Sequence, residues 1–236
     1  MNNNNKIAGI IGGLGPFATV YFLDMITKLT KATCDQEHVD MIITNIASTP
    51  DRTSFLLKSN KQDPRPSLIN AAKKLESSCA NFIVMTCNTA HNFYNEIQKE
   101  INIPFFNIIE ETVKYAKEHN FKKVCILATK GTLDGQLYQD MCRKYDLDFL
   151  VPSQTQQDTI MSFIYDYIKK GIKVPIADFN NFISTEFNNQ CDGFILGCTE
   201  LSLLKQDYNL DSTTFIDSLE VLARKTILES DKEVIA

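Results

Sequence analysis

The sequence predicts an α/β protein of two similar domains, each with a parallel β-sheet flanked by helices, related by pseudo-twofold symmetry with the functional site in the cleft between them. Three observations carry this expectation. Short apolar runs alternate with segments of helical spacing; one strand leading to a cysteine occurs twice; and a second signal precedes it in the same order in both halves.

The apolar runs fall at residues 7–11, 41–46, 82–85, 124–128 and 194–196 and read as strands. Between them Leu68, Ala72, Leu75 and Cys79 recur at helical spacing, as do Ile160, Ile164 and Ile168, and later Leu219, Leu222 and Ala223. Cys79-Ala80-Asn81-Phe82-Ile83-Val84 leading to Cys87 echoes Cys191-Asp192-Gly193-Phe194-Ile195-Leu196 leading to Cys198. A weaker echo pairs Lys6 and a strand entering Gly12-Gly13-Leu14-Gly15 with Lys123 and a strand entering Thr129-Lys130-Gly131-Thr132. Two copies are too few for a solenoid, so a tandem duplication is the simplest reading. Its carboxyl strand ends would meet in one crevice, where open α/β sheets bind ligands, and Cys87 would face Cys198. Residues 214–216 and a helix from about residue 217 are expected to pack back on the first domain, since alone they lack a core. That divides the chain into residues 1–112 with 208–236, and residues 113–207.

Composition narrows the function. The 236 residues, 44% of them hydrophobic, are ample for packed cores. No apolar run nears the roughly 18 residues of a membrane span, and the opening Met1 to Asn5 lacks the apolar core of a secretion signal, so a cytoplasmic protein with no membrane contact is expected. Seven cysteines in a reducing compartment are poorly explained as a disulfide framework. The net charge of −5 comes without a basic face, which argues against nucleic acid and means that an acidic substrate needs local cations.

Three constellations compete for the chemistry. Gly13-Leu14-Gly15-Pro16-Phe17-Ala18 fits the loose dinucleotide pattern, but the second strand ends in Asn45-Ile46-Ala47 where an acid for the ribose is needed. Its other readings are a tight turn with Pro16 at the first helical position, or backbone N–H groups cradling a carboxylate, the favoured one. Cys34-x-x-x-His38 and Cys87-x-x-x-His91 could pair as zinc ligands, yet the first lies in a polar stretch unlike a rigid cage, so no metal is expected. Cys87 with His91 suggests a nucleophile and its base, which leaves Cys198 unexplained. Each cysteine ends a strand before a polar helix start, a setting that favours thiolate. Two such thiols on opposite sides of a ligand match a symmetric proton exchange, with Thr199 as a hydroxyl donor and Glu200 as a base or ammonium partner.

Gly-Gly-Leu-Gly-Pro at the first loop, Cys-Asn-Thr-Ala-His at Cys87 and Gly-Cys-Thr-Glu at Cys198 resemble the signatures of the aspartate/glutamate racemase family, nearest to aspartate racemases. The likeness extends through Asp35-Gln36-Glu37-His38, Pro50-Asp51-Arg52-Thr53, Asp63-Pro64-Arg65-Pro66 and Ile164-Tyr165 with Lys169 and Gly171. It implies cofactor-independent racemisation of an acidic amino acid by Cys87 and Cys198, in a homodimer. It further implies that Arg52 and Lys169 hold the side-chain carboxylate while Asn88, Thr89 and Thr199 bind the α-carboxylate or ammonium. Leu14, Gly15, Asp51, Thr132, Tyr165 and Glu200 complete the expected site. A guanidinium grips a carboxylate bidentately and lysine adds a point charge, which suits that division. Without the resemblance Lys169 reads equally as a solvated helix lysine. Glutamate racemases carry His where this chain has Glu200, which points to aspartate. The runner-up is a broad-specificity or glutamate-preferring racemase, and outside that class a dicarboxylate-binding protein.

Overall fold

The computed structural model describes residues 5–187 and 190–235. Its first half runs β1 (Ile7–Gly12), α1 (Pro16–Leu29), β2 (Asp40–Asn45), α2 (Arg52–Leu56), α3 (Arg65–Ser77), β3 (Phe82–Met85), α4 (Tyr94–Gln98) and α5 (Ile108–Glu118). The second runs β4 (Lys123–Ala128), α6 (Lys130–Asp134), α7 (Leu137–Lys144), β5 (Asp148–Leu150), α8 (Gln154–Ser162), α9 (Ile176–Glu186), β6 (Gly193–Gly197), α10 (Thr199–Tyr208), β7 (Phe215–Asp217) and α11 (Ser218–Glu229). All the strands named pair in parallel, in the orders β2-β1-β3 and β5-β4-β6-β7. Each half therefore places its first strand between its second and third, the arrangement a duplication leaves behind.

The match continues past the cysteines. Ile83 of β3 forms a parallel bridge with Phe105, and Ile195 of β6 pairs with Ile216. A capped helix follows each partner: Asn107 accepts from the N–H groups of Ile109 and Glu110, and Asp217 from those of Leu219 and Glu220. A short polar side chain there meets the free donors of the first helical turn.

Side-chain alternation along the strands assigns each sheet two buried faces. Ala8, Ile10, Phe82 and Val84 from one sheet and Val124, Ile126 and Ile195 from the other share one core with buried residues of α1, α5, α7 and α11. The opposite faces are covered separately, the first by Leu68, Ala72 and Leu75 of α3, the second by Ile160, Ile164, Ile168 and Phe179. Helices sandwiched between the sheets thus join the halves.

Three expectations need correction. The closing strand extends the second sheet, because β7 pairs with β6 and not with the first domain's strands; α11 then packs against α1 and α5. Cys79 leaves the helical stripe: α3 stops at Ser77, and Cys79 is exposed in the left-handed region at φ 67°. After Cys87 the chain makes a five-residue 3₁₀ turn, Thr89–Phe93, so the helix dipole invoked there is small. In addition, the three-residue edge strand β5 lies outside the expected strands, although the short apolar run Phe149-Leu150-Val151 overlaps it. Among the described residues no helix is long and apolar enough to cross a membrane.

Candidate active site

Cys87 follows β3 and Cys198 follows β6, and both thiols line one narrow cavity of about 10 Å³. From the first half it takes Leu14, Asp51, Arg52, Thr53, Asn88 and Thr89, and from the second Thr129, Tyr165, Lys169, Thr199 and Glu200. An outer vestibule of about 250 Å³ shares Leu14, Asp51, Arg52, Lys169 and Glu200 with it and adds Gly15, Phe17, Ile168 and Leu203. Thr132, expected in the lining, stands behind it. Its hydroxyl joins those of Thr89 (3.0 Å) and Thr129 (3.1 Å), and Thr89 and Thr129 meet at 2.8 Å. Three buried hydroxyls thereby stitch the turn after Cys87 to the start of α6.

Arg52 sits at the first position of α2, whose N-terminus Asp51 caps by accepting from the Ser54 N–H at 2.8 Å. Its guanidinium is only 6% exposed, yet it forms no salt bridge among the described residues. Nη1 donates to the carbonyls of Thr49 (3.3 Å) and Pro50 (3.1 Å), Nη2 donates to that of Leu14, and Nε lacks a partner. Burial opposes the charge, but the negative fields of Cys87, Asp51 and Glu200 outweigh it and raise the pKa. A buried cation held by neutral carbonyls is an incomplete ion pair.

Lys169 and Tyr165 approach from the second half, where the chain passes through a π-helical turn (Phe163–Tyr167) and a 3₁₀ turn (Ile168–Lys170). Such widened turns re-aim side chains and recur at functional sites. The Tyr165 hydroxyl donates to Asp51 Oδ2 at 3.1 Å, and the Lys169 ammonium lies 5.4 Å from the Tyr165 ring centre. Lys169 donates to Glu200 Oε1. The neighbouring Asp166 and Lys170 form an exposed i, i+4 pair. Gly15 admits Glu200, since a Cβ there would stand 2.4 Å from Oε1. The loop's visible tasks are thus to anchor Arg52 through Leu14 and to make room for Glu200.

Glu200 also accepts from the Cys198 thiol at 2.9 Å and from Thr199 Oγ1 at 3.4 Å. Burial works against its charge, but Lys169 and the Cys198 hydrogen bond lower its pKa and keep it a carboxylate. Cys198 is pushed the other way, well up, by burial and then by Glu200, with Lys169 opposing. A helix start alone favours a thiolate, but here Cys198 is the protonated donor, because burial and then the Glu200 carboxylate disfavour its charged form.

His91 is not the base of a Cys87 nucleophile. Its Nδ1 donates to the Cys87 carbonyl at 2.8 Å and its Nε2 accepts from the Ile108 N–H at 3.3 Å, the tautomer following from the network. Both ring nitrogens therefore serve the backbone. Cys34, of the other Cys-x-x-x-His pair, is exposed, and no group of three or more His, Cys, Asp or Glu side chains among the described residues is disposed to hold a metal ion.

Comparison with known proteins gives this arrangement a lineage. Residues 11–226 match the family described as Asp/Glu/Hydantoin racemase. The chain belongs to this family. It is similar to the Picrophilus torridus aspartate racemase, with 32% identity over 98% of this chain and 96% of that one and a TM-score of 0.81. An aspartate racemase homologue from Pyrococcus horikoshii is 26% identical over 96% of this chain and 99% of that one, with a TM-score of 0.76. The broad specificity amino-acid racemase of Bacillus subtilis is 28% identical over 93% of this chain and 96% of its own. The protein is accordingly an isomerase of racemase type, with the two-sheet fold of its family.

Two cavity-lining residues of this racemase carried no sequence signal of their own. Thr53 was visible only as the end of the Pro-Asp-Arg-Thr motif, and Thr129 only within the echo Thr129-Lys130-Gly131-Thr132; the structure shows Thr129 capping α6 by accepting from the Thr132 N–H. A stability consequence follows from His91. Burial lowers its pKa from the ordinary 6.5 to about 4. Between those values the unfolded chain binds a proton that the folded protein excludes, so stability rises with pH across the window. About 3 kcal/mol of stability, fully present above pH 6.5, is expected to be lost as the pH falls to about 4. Urea denaturation of His91→Gln across this window should show a flatter pH dependence than the native protein; an identical slope would clear His91 as the cause.

Proposed function

We propose that this racemase interconverts L- and D-aspartate by α-proton transfer between Cys87 and Cys198, without pyridoxal phosphate or metal. The observation that carries the proposal is one cavity in which cysteines from equivalent strand ends accompany a buried guanidinium lacking an acidic partner. The substrate's side-chain carboxylate completes the ion pair of Arg52 and competes with Glu200 for Lys169. Thr89 and Thr199 supply hydroxyls, and Asn88 an amide, to the α-carboxylate or ammonium. Asn88 is held from behind, its Oδ1 accepting from Tyr138 and its Nδ2 donating to Ser218, which leaves its second N–H for the ligand.

Cys198 begins with its proton, so the reaction starts in the direction where Cys87 removes the α-proton and Cys198 donates to the opposite face. Arg52 supplies the positive charge that a thiolate at Cys87 needs. Once Cys198 has given up its proton, Lys169 offsets the new thiolate, and the enzyme stands ready for the reverse direction. Glu200 takes part by accepting the thiol hydrogen bond and by releasing Lys169. Incubation with L-aspartate and no added cofactor should yield D-aspartate by chiral chromatography; absence of D-product from any acidic amino acid contradicts racemisation by this site.

A second reading, broad specificity or a preference for glutamate, is favoured by the vestibule, whose apolar Phe17, Ile168 and Leu203 leave space for longer side chains. Turnover across a panel of amino acids separates the two. The homodimer implied by the resemblance is also proposed. Exposed Phe17, Val20 and Ile172 line one groove and support an apolar contact, which sedimentation of the purified protein checks.

A further inference from the structure

We infer that Tyr138 is a positioning residue that braces the two cysteine-bearing strand ends against each other. The inference rests on the proposed racemisation. Tyr138 belongs to α7, is fully buried and lies outside the cavity lining. Its hydroxyl donates to Asn88 Oδ1 at 2.7 Å, and Asn88 directly follows Cys87. Its ring packs on Gly197, directly before Cys198, so closely that a Cβ at Gly197 would stand 2.8 Å from the ring edge.

A second arm runs parallel to the first. Asn88 Nδ2 donates to Ser218 Oγ at 3.0 Å, and Ser218 Oγ donates to the carbonyl of Leu196 at 2.8 Å. Both arms begin at Asn88, in the turn that follows β3, and end at residues 196 and 197 of β6. Their anchors, α7 and α11, stand in the core shared by the sheets, and Tyr138, Asn88 and Ser218 are all at most 1% exposed. Burial raises the Tyr138 pKa, so its hydroxyl keeps the proton it donates. A satisfied polar network in a low-dielectric core is rigid, because a broken bond leaves a buried group unpaired.

Rigidity matters here because two groups must act on opposite faces of one carbon. Acid/base groups need placement within about 0.5 Å, and a misplacement of about 1 Å costs roughly a hundredfold in rate. If the brace loosens, Cys87 still removes the α-proton, but delivery by Cys198 falters. The carbanion then more often recovers a proton from the side it lost one.

Tyr138→Phe cuts the hydroxyl arm and keeps the ring on Gly197. In heavy water its kcat for racemisation should fall roughly tenfold, with KM for aspartate little changed. Deuterium in the recovered starting enantiomer should rise relative to deuterium in the product. A purely structural role would lower exchange and inversion together, in proportion to the folded protein lost; that result, or a variant indistinguishable from the native enzyme, overturns the brace. Should Tyr138→Phe fail to fold, Ser218→Ala cuts the second arm and decides by the same ratio. Absence of any exchange in the native enzyme overturns the racemase reading itself, and the brace with it.

Discussion

Replacing Cys198 by alanine is expected to lower racemisation of aspartate roughly a thousandfold, about 4 kcal/mol of transition-state stabilisation, and Cys87→Ala should do the same. Each thiol serves one face of a planar intermediate, so neither substitutes for the other. The two variants should nonetheless differ in structure. Removing the Cys198 thiol takes one hydrogen bond from Glu200, which keeps Lys169 and Thr199 as partners. Cys198→Ser restores a donor to Glu200 but supplies a hydroxyl far too weakly acidic for the return step, so it should fold like the native protein and stay inactive. Chiral chromatography at matched folded concentration measures the loss. Near-native turnover in either alanine variant would remove that cysteine from the acid/base pair.

Arg52→Ala should produce the next largest effect, a fall in kcat/KM for aspartate of roughly a hundredfold or more. The guanidinium already gives two of its nitrogens to the carbonyls of Leu14, Thr49 and Pro50 and keeps Nε unpartnered. Its placement is therefore fixed by the chain before any ligand arrives, and the ligand completes the set. Arg52→Lys preserves the charge and loses the fork, so it should recover only part of the rate. An Arg52→Ala enzyme with native kinetics would mean that the substrate carboxylate binds elsewhere, with Lys169 the remaining cation of the cavity lining.

How much of this could be read from the residues alone depended on whether the signal was local. The strands around Ile10, Val84, Ile126 and Ile195 declare themselves by apolar runs, because strands buried on both faces carry no polar alternation. The cysteine pair was legible because its setting occurs twice. The pairing of β7 was not, since a three-residue strand can join either sheet and only the register with Phe194, Ile195 and Leu196 decides. Chemistry that depends on distance was hidden as well. A strand end before a helix suggests a thiolate, but burial and then the carboxylate of Glu200 keep Cys198 a thiol. His91, four residues after Cys87, looks like a base, and only the fold shows its nitrogens bound to the backbone at residues 87 and 108. Tyr138 has no motif around it; its role appears once Gly197 and Asn88 are seen to share it.

Cys87 and Cys198 are proposed to act on opposite faces of the α-carbon, and early-time exchange in heavy water is the decisive test of that arrangement. Starting from protiated L-aspartate, the account predicts D-aspartate fully deuterated at the α-carbon while the remaining L-aspartate is still largely protiated. D-aspartate that retains the original α-proton would show a single base returning it to the other face, and would contradict the two-cysteine mechanism.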